Sequence, residues 1–411
     1  MSEQAPRHQL IFITLVAITF ISPLANHMFI PATPLVKEEF GIGDELAFAT
    51  LSLTMMTMAI TSLIYGGVSD QWGRKRVLLC GLALYTLGAE LCWFALNIEM
   101  LLGGRILQGA GAGCGIVLAR AIARDVFGME KISSVIANLT AAYVLGPLLA
   151  PTIGSFVVGA EGWRFLFIPI TIIGITLIAI VFFYLPETNA PKKKRDSFFI
   201  IIRKMFEDYA GLLRIPRFTA YALMPGCMSG VFFANATASA FLARDTLGLS
   251  TELYGIWFLC MPLGFMTGNL ISGQIGNKLS VGLMTICGTS LNLIIVALQW
   301  IWHENFGLSI EGIIIPGAAL GIAQGMCMPY AQTGAMRINP KLAGCASGAV
   351  VFSQLFIAGA AEQSVGFAAD GTLIPVLYIM IGFSILAVTT AVFAQVSLRR
   401  AMHIDSLKNE H

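Results

Sequence analysis

Apolar runs of roughly 20 residues recur along the whole chain, cut by short charged or Gly/Pro-rich breaks. A helix of that length rises about 30 Å, the thickness of a bilayer's hydrocarbon core. The cuts predict helices near 10–32, 46–65, 77–96, 100–122, 132–158, 165–184, 218–242, 254–275, 281–302, 310–331, 344–366 and 373–396. Six lie on each side of one long polar stretch, 186–216. The expectation is an all-α membrane protein of twelve transmembrane helices in two pseudo-symmetric six-helix bundles, 1–185 and 217–411, joined by the linker 186–216. The first run, from Leu10, has no small-residue cleavage site after it and is followed by many like it, so it reads as a retained span. Within the linker, Phe198–Leu213 alternates basic and apolar groups. That pattern suits a helix lying on a membrane surface or, equally, a plain tether.

Composition agrees with lipid as the solvent. Of 411 residues, 56% are hydrophobic and 12% charged, against about 25% charged in a soluble domain. A net charge of +2 gives no polyanion signature, so no nucleic-acid partner is expected. The placement of the basic residues is more informative. With the N-terminus inside, 21 of the 25 Lys/Arg fall in or beside cytoplasmic segments, and only Lys37, Arg105, Arg164 and Arg244 fall elsewhere. The positive-inside bias therefore predicts cytoplasmic termini and a cytoplasmic linker. Trp93, Trp163, Trp300 and Trp302 sit where spans meet the opposite surface, as an aromatic belt would.

Three segments carry more than topology. Between the second and third spans runs Gly66-Gly67-Val68-Ser69-Asp70-Gln71-Trp72-Gly73-Arg74-Lys75-Arg76. Its glycines permit a tight turn, its basic residues suit anionic headgroups, and Asp70 is expected at the positive start of the third span. A degraded copy, Gly273 to Lys278 with Asn277 at the acidic position, follows the eighth span. The fourth span opens with Arg105-Ile106-Leu107-Gln108-Gly109-Ala110-Gly111. An arginine one turn inside a span needs a cavity, a partner or a route to the interface. The fifth span holds Gly146-Pro147-Leu148-Leu149-Ala150-Pro151-Thr152-Ile153-Gly154, whose prolines and glycines favour a bent, closely packed helix.

These three stretches resemble the signature motifs of the major facilitator superfamily: its loop motif (Gly66, Asp70, Gly73, Arg74, Lys75), the arginine motif of proton-coupled members, and the antiporter motif (Gly146, Pro147, Pro151, Gly154). The antiporter variant, with Gly162-Trp163-Arg164 and Leu185-Pro186-Glu187-Thr188, is similar to the Bcr/CflA drug-efflux branch of the drug:proton antiporters. The resemblance implies a secondary transporter exporting small organic molecules against protons by alternating access. It also implies a multi-pass protein of a bacterial inner membrane that works as a monomer without a cofactor. Arg124 and Asp125 would be the loop motif's partners. One departure stands out. Where the branch has D-M-Y-L-P-A-L-P, this chain has His27-Met28-Phe29-Ile30-Pro31-Ala32-Thr33-Pro34, so histidine replaces the usual aspartate. His27 is then either a titrating group or a neutral ring bonded to a backbone carbonyl freed near Pro31.

Ionisable groups within the spans are few. Arg105, His27, Glu90 and Glu362 are the proton-coupling candidates, with Glu90 placed to meet Arg105 or to reach the surface. Thr19, Asn138, Asn235, Phe232, Phe233, Gln324 and Gln354, with His27 and Arg105, are the substrate-cavity candidates. Met261, Met326 and Met328 could add adaptable apolar contacts. Other classes find no support. The eight cysteines are scattered singly, the five histidines share no helix face, and no metal-ligand spacing or Walker loop occurs. A selective metabolite carrier or chelate importer remains the alternative to a drug exporter, and an enzyme is not expected.

Overall fold

The computed structural model describes residues 4–189, 197–275, 278–339 and 342–409. Within these, residues 4–7, 22, 128–134, 136–137, 140–142, 144–145, 148, 198–199, 343 and 399–409 are described by backbone alone. Lys192–Arg195, Asn277 and Lys341 lie outside the described residues, as do the side chains of Lys131, Arg399 and Arg400.

Fifteen α-helices and no strand occur among the described residues. They are α1 Gln4–His27, α2 Thr33–Phe40, α3 Asp44–Trp72, α4 Arg74–Trp93, α5 Ile98–Ala112, α6 Cys114–Glu161 and α7 Phe167–Tyr184. After α8 Phe198–Leu213 come α9 Pro216–Phe241, α10 Thr251–Phe258, α11 Cys260–Ile275, α12 Val281–Phe306, α13 Ile310–Ile338, α14 Ala343–Ala368 and α15 Ile374–Asn409. Eleven helical stretches among the described residues are long and apolar enough to cross a membrane, and Leu149–Glu161 is a shorter apolar one. One boundary differs from expectation. The charged stretch 123–131 was to separate the fourth and fifth spans, but it is helical, and α6 runs unbroken through it. Charge ends an apolar run without ending a helix, and this stretch contains no proline.

The chain divides into two compact units: Met1–Met205 with Ala243–Leu259, and Phe206–Leu242 with Cys260–His411. In the first, α1 packs on α6, α3 on α5, and α4 on both α5 and α7. In the second, α9 packs on α14, α11 on α13, and α12 on both α13 and α15. Each unit thus repeats one internal pairing scheme, as a duplicated membrane unit would. The segment Ala243–Leu259 follows α9 in the chain but packs in the first unit, where α10 lies on α6.

Small residues set the helix spacing. Inside a membrane, association relies on close van der Waals approach and hydrogen bonds more than on hydrophobic burial. A Cβ added at Gly264 or Gly268 of α11 would strike the carbonyls of Ala318 and Ile322 on α13. Gly321 and Gly325 return the contact against Met261 and Phe265. In the first unit, Gly88 faces the backbone of Gln108, and Gly111 that of Tyr85. Serine side chains cap the next helices: Ser250 accepts from Leu253 N, Ser280 from Leu283 N, and Ser309 from Gly312 N. The linker stretch Phe198–Leu213 is a helix, and its Ile201 and Met205 abut Gly67 of α3.

The α11–α13 contact generates a paired test. At Gly268 a Cβ would lie 2.9 Å from the Ile322 carbonyl carbon, whereas nothing stands within 4 Å of Gly273 on the same helix. Gly268→Ala should lower the melting temperature in detergent, by overpacking of about 1–3 kcal/mol. Gly273→Ala should leave it unchanged or raise it by up to about 1 kcal/mol of helix propensity.

Candidate functional site

At the end of the first unit where α3 turns into α4, the basic loop is tied down by carboxylates from three directions. Gly73 makes the turn with φ 97°, a conformation open to glycine and strained for other residues. The Arg74 side chain is 3% exposed. Its guanidinium meets Asp70 at 2.5 Å and Asp125 at 3.0 Å, and donates to Ser69 Oγ at 2.6 Å. Asp125 comes from α6, with Arg124 reaching it at 3.9 Å. Thr188 Oγ1 donates to the same Asp125 oxygen as Arg74, at 3.4 Å.

The start of α4 corrects one expectation. Asp70 lies in the last turn of α3, a helix end that disfavours anions, and the Arg74 pair offsets this. The anion at the N-terminus of α4 is Glu187. Its carboxylate accepts from Arg74 N at 2.7 Å and Lys75 N at 3.2 Å, two of the donors a helix start leaves open. Lys75 Nζ in turn donates to the Phe182 carbonyl at 2.8 Å, which fixes α7 to the same loop.

Deeper in this unit, Arg105 is fully buried. Its Nε donates to Thr50 O at 2.9 Å, and its Nη1 to Ala25 O and Gln108 Oε1, both at 2.6 Å. The Phe29 ring lies 4.5 Å from its guanidinium carbon. Ala25 sits in the last turn of α1, where carbonyls have no helical donor, so Arg105 satisfies one end of α1 from α5. One cation thereby joins α1, α3 and α5.

The glycines at the two ends of the proline-containing stretch of α6 face the same helix. A Cβ at Gly146 would strike the ring of Pro23, and one at Gly154 the carbonyl of Met28. These two glycines let α6 lie directly against the stretch of α1 that carries His27. His27 is 5% exposed, and its Nδ1 donates to Pro23 O at 3.0 Å. The carbonyl it bonds therefore lies one turn before the end of α1 and not in the neighbourhood of Pro31.

Beyond α1, three adjacent residues of α2 each hold a partner. Lys37 pairs with Asp44 at 2.6 Å, Glu38 with Arg244 at 2.5 Å, and Glu39 with Arg164 at 2.5 Å. Trp163 Nε1 also donates to Glu39, at 2.6 Å. Thr152 Oγ1 donates to the Gly255 carbonyl at 3.0 Å, so α10 is bonded to α6 as well as packed on it.

In the second unit the polar candidates sit in buried side-chain pairs. Thr237 Oγ1 donates to Glu362 Oε1 at 2.8 Å, and Glu362 is fully buried. Gln299 Nε2 donates to Asn235 Oδ1 at 3.0 Å, while Asn235 Nδ2 reaches Ile313 O at 3.3 Å. Gln324 Nε2 donates to Ser229 Oγ at 2.9 Å. Phe232 and Phe233 meet edge to face at 5.4 Å, and Gln354 is half-buried on α14.

Other candidates stand apart. Glu90 lines a surface cleft with Trp93, Phe94 and Phe167, and it forms no ion pair among the described residues. Asn138 is exposed, and Thr19 bonds back to the Leu15 carbonyl at 2.8 Å. Sequence reasoning missed Glu187 as a cap, Ser69 and Thr237 as partners, and Asn26, whose carboxamide is fully buried beside Ala25. Glu187 and Ser69 lay within the quoted motif stretches, whereas Thr237 and Asn26 carried no signal.

The model of the Major Facilitator Superfamily matches residues 15–362. The chain belongs to that superfamily. It is similar to Multidrug resistance protein D of Escherichia coli, 27% identical over 348 residues, 83% of this chain and 84% of that one. The Bicyclomycin resistance protein homolog of Haemophilus influenzae is 24% identical over 289 residues, 70% of this chain and 71% of the other. Among solved structures, the D-xylose-proton symporter shares the fold with a TM-score of 0.70 at 14% identity, covering 93% of this chain and 96% of that one. The protein is a multi-pass membrane transporter and not an enzyme.

The two arginines separate by role. Asp70→Asn removes one of two carboxylates from Arg74 and should slow transport several-fold while ligand affinity in detergent stays within twofold. Arg105→Ala strands the Ala25 and Thr50 carbonyls and should lose both, with a stability loss of about 3 kcal/mol or more. Binding lost in Asp70→Asn but kept in Arg105→Ala would reverse the assignment.

Proposed function

We propose that this transporter exports small drug-like or amphiphilic molecules in exchange for protons, by alternating access, as a monomer in a bacterial inner membrane with both termini cytoplasmic. The supporting observation is the joint between α6 and α1. Gly146 and Gly154 hold α6 against Pro23 and Met28, next to His27, while Arg105 binds the end of α1. A helix seated so closely on the stretch that carries His27 can pass a change in the charge of that residue to the whole unit. In the second unit, Glu362 with Thr237 is the matching buried carboxylate. The names of the relatives, multidrug and bicyclomycin resistance proteins, favour drug-like substrates. The second reading, a selective carrier or importer, is favoured by His27 alone, since histidine inverts the charge of the loaded state from neutral to positive.

Everted vesicles with an imposed proton gradient decide between them. Gradient-driven uptake of several unrelated dyes supports export, whereas uptake of one compound class in right-side-out vesicles supports the alternative. Coupling is read from the pH profile between 5.5 and 8. If His27 carries the coupled proton, His27→Gln should flatten the profile and His27→Asp should shift it toward acid. An unchanged profile in His27→Gln removes His27 from coupling.

External cysteine labelling should reach positions 302–309 and miss positions 197–200. The opposite result inverts the proposed orientation.

A further inference from the structure

The carboxamide of Asn26 is fully buried, and neither its oxygen nor its nitrogen has a hydrogen-bond partner. Asn26 follows Ala25, whose carbonyl accepts from Arg105 Nη1. The same Nη1 donates to Gln108 Oε1, and because a guanidinium only donates, the Gln108 amide must turn its nitrogen the other way. That nitrogen, Nε2, is also buried without a partner. Three open hydrogen-bonding atoms, two donors and one acceptor, therefore belong to two residues that flank a single Arg105 contact.

Burial without partners carries the full desolvation penalty of each group, and interiors rarely leave such groups open. Leucine at position 26 would fill similar volume without that penalty. Asn26 begins the turn where α1 ends and the chain bends through Phe29 and Ile30–Ala32, and Phe29 also covers Arg105. The open amide thus belongs to the stretch of α1 on which the proposed transport site rests.

We propose that Asn26, assisted by Gln108 Nε2, is a substrate-binding group that selects neutral ligands presenting a hydrogen-bond donor beside an acceptor, as an unsubstituted carboxamide or lactam does. Asn26 Oδ1 accepts from the ligand N–H, and Asn26 Nδ2 donates to the ligand carbonyl. Gln108 Nε2 supplies a second donor to that carbonyl. Arg105 orients Gln108 without needing to touch the ligand.

This inference rests on α1 lining the transport site, and its test is kept independent of direction and coupling. The probes are one aromatic fluorophore carrying a primary carboxamide and the same fluorophore carrying its N,N-dimethylamide. Binding to the full chain in lipid nanodiscs is read by fluorescence polarisation without a gradient. Wild type should prefer the primary amide by about tenfold or more, because a site built for a donor leaves its acceptor open to the methylated analogue. Asn26→Leu should bind the two within twofold of each other. Its ligand-free melting temperature should match or exceed wild type, which shows that the variant folds. Equal affinities in wild type, no binding of the primary amide, or a preference that survives in Asn26→Leu overturns the assignment. The last result would mean that Asn26 holds a structural water only. If amide selection is seen but proton-driven export is not, the proposed function fails and this inference stands.

Discussion

A guanidinium placed wholly inside a membrane bundle must find acceptors there, and the first unit is arranged around that requirement. Arg105 cannot lose its proton, so it draws on backbone carbonyls that would otherwise be open or shared. Ala25 offers one because α1 ends two residues later, and Thr50 offers another from the middle of α3. The end of α1, the bend through Phe29 and the position of Gln108 all follow from feeding one cation. The same constraint explains the small residues after Arg105. Gly109 lies against the Thr54 carbonyl and Gly111 against the Tyr85 backbone, which brings α3 and α4 near enough to α5 for these bonds to form.

Carboxylates do the corresponding work at the basic end. The α3–α4 turn concentrates positive charge on a helix start that is itself electropositive. Asp70, Asp125 and Glu187 each neutralise a different part of it: the first two take the Arg74 guanidinium, and the third takes the backbone donors. Because Asp125 belongs to α6 and Glu187 follows α7, a movement of either helix must break a charge-assisted bond. Lys75, bonded to the α7 carbonyl of Phe182, adds a third such tie between the loop and its neighbouring helices.

How much of this was legible in the sequence depends on distance along the chain. The spans were readable because a bilayer imposes a length and apolar character on each one separately. The motif glycines were readable because turns and close contacts demand a missing Cβ. Partners were not. Glu187 stands 113 and 112 residues from the two donors it caps, and Thr237 stands 125 residues from Glu362. No local pattern encodes such pairings. The continuity of α6 was hidden for another reason: Arg124, Asp125, Glu130 and Lys131 interrupt hydropathy, but they are compatible with helix. Asn26 was overlooked because a single amide in an apolar run looks incidental until both of its atoms are found without partners.

The two units treat buried polarity differently. In the second, amides and hydroxyls bond one another, as with Gln299 on Asn235, Gln324 on Ser229 and Ser384 on Asn292, while Asn292 Nδ2, Gln299 Oε1 and Ser353 Oγ stay open. Such side-chain pairs hold α9, α12, α13 and α15 in one arrangement, since shifting any helix would open a donor in a medium that offers no replacement. In the first, a permanent cation draws on backbone carbonyls, and both atoms of the Asn26 carboxamide and the nitrogen of Gln108 stay open. What differs is the partner: side chain bonds side chain in the second unit, whereas in the first a buried cation bonds the backbone.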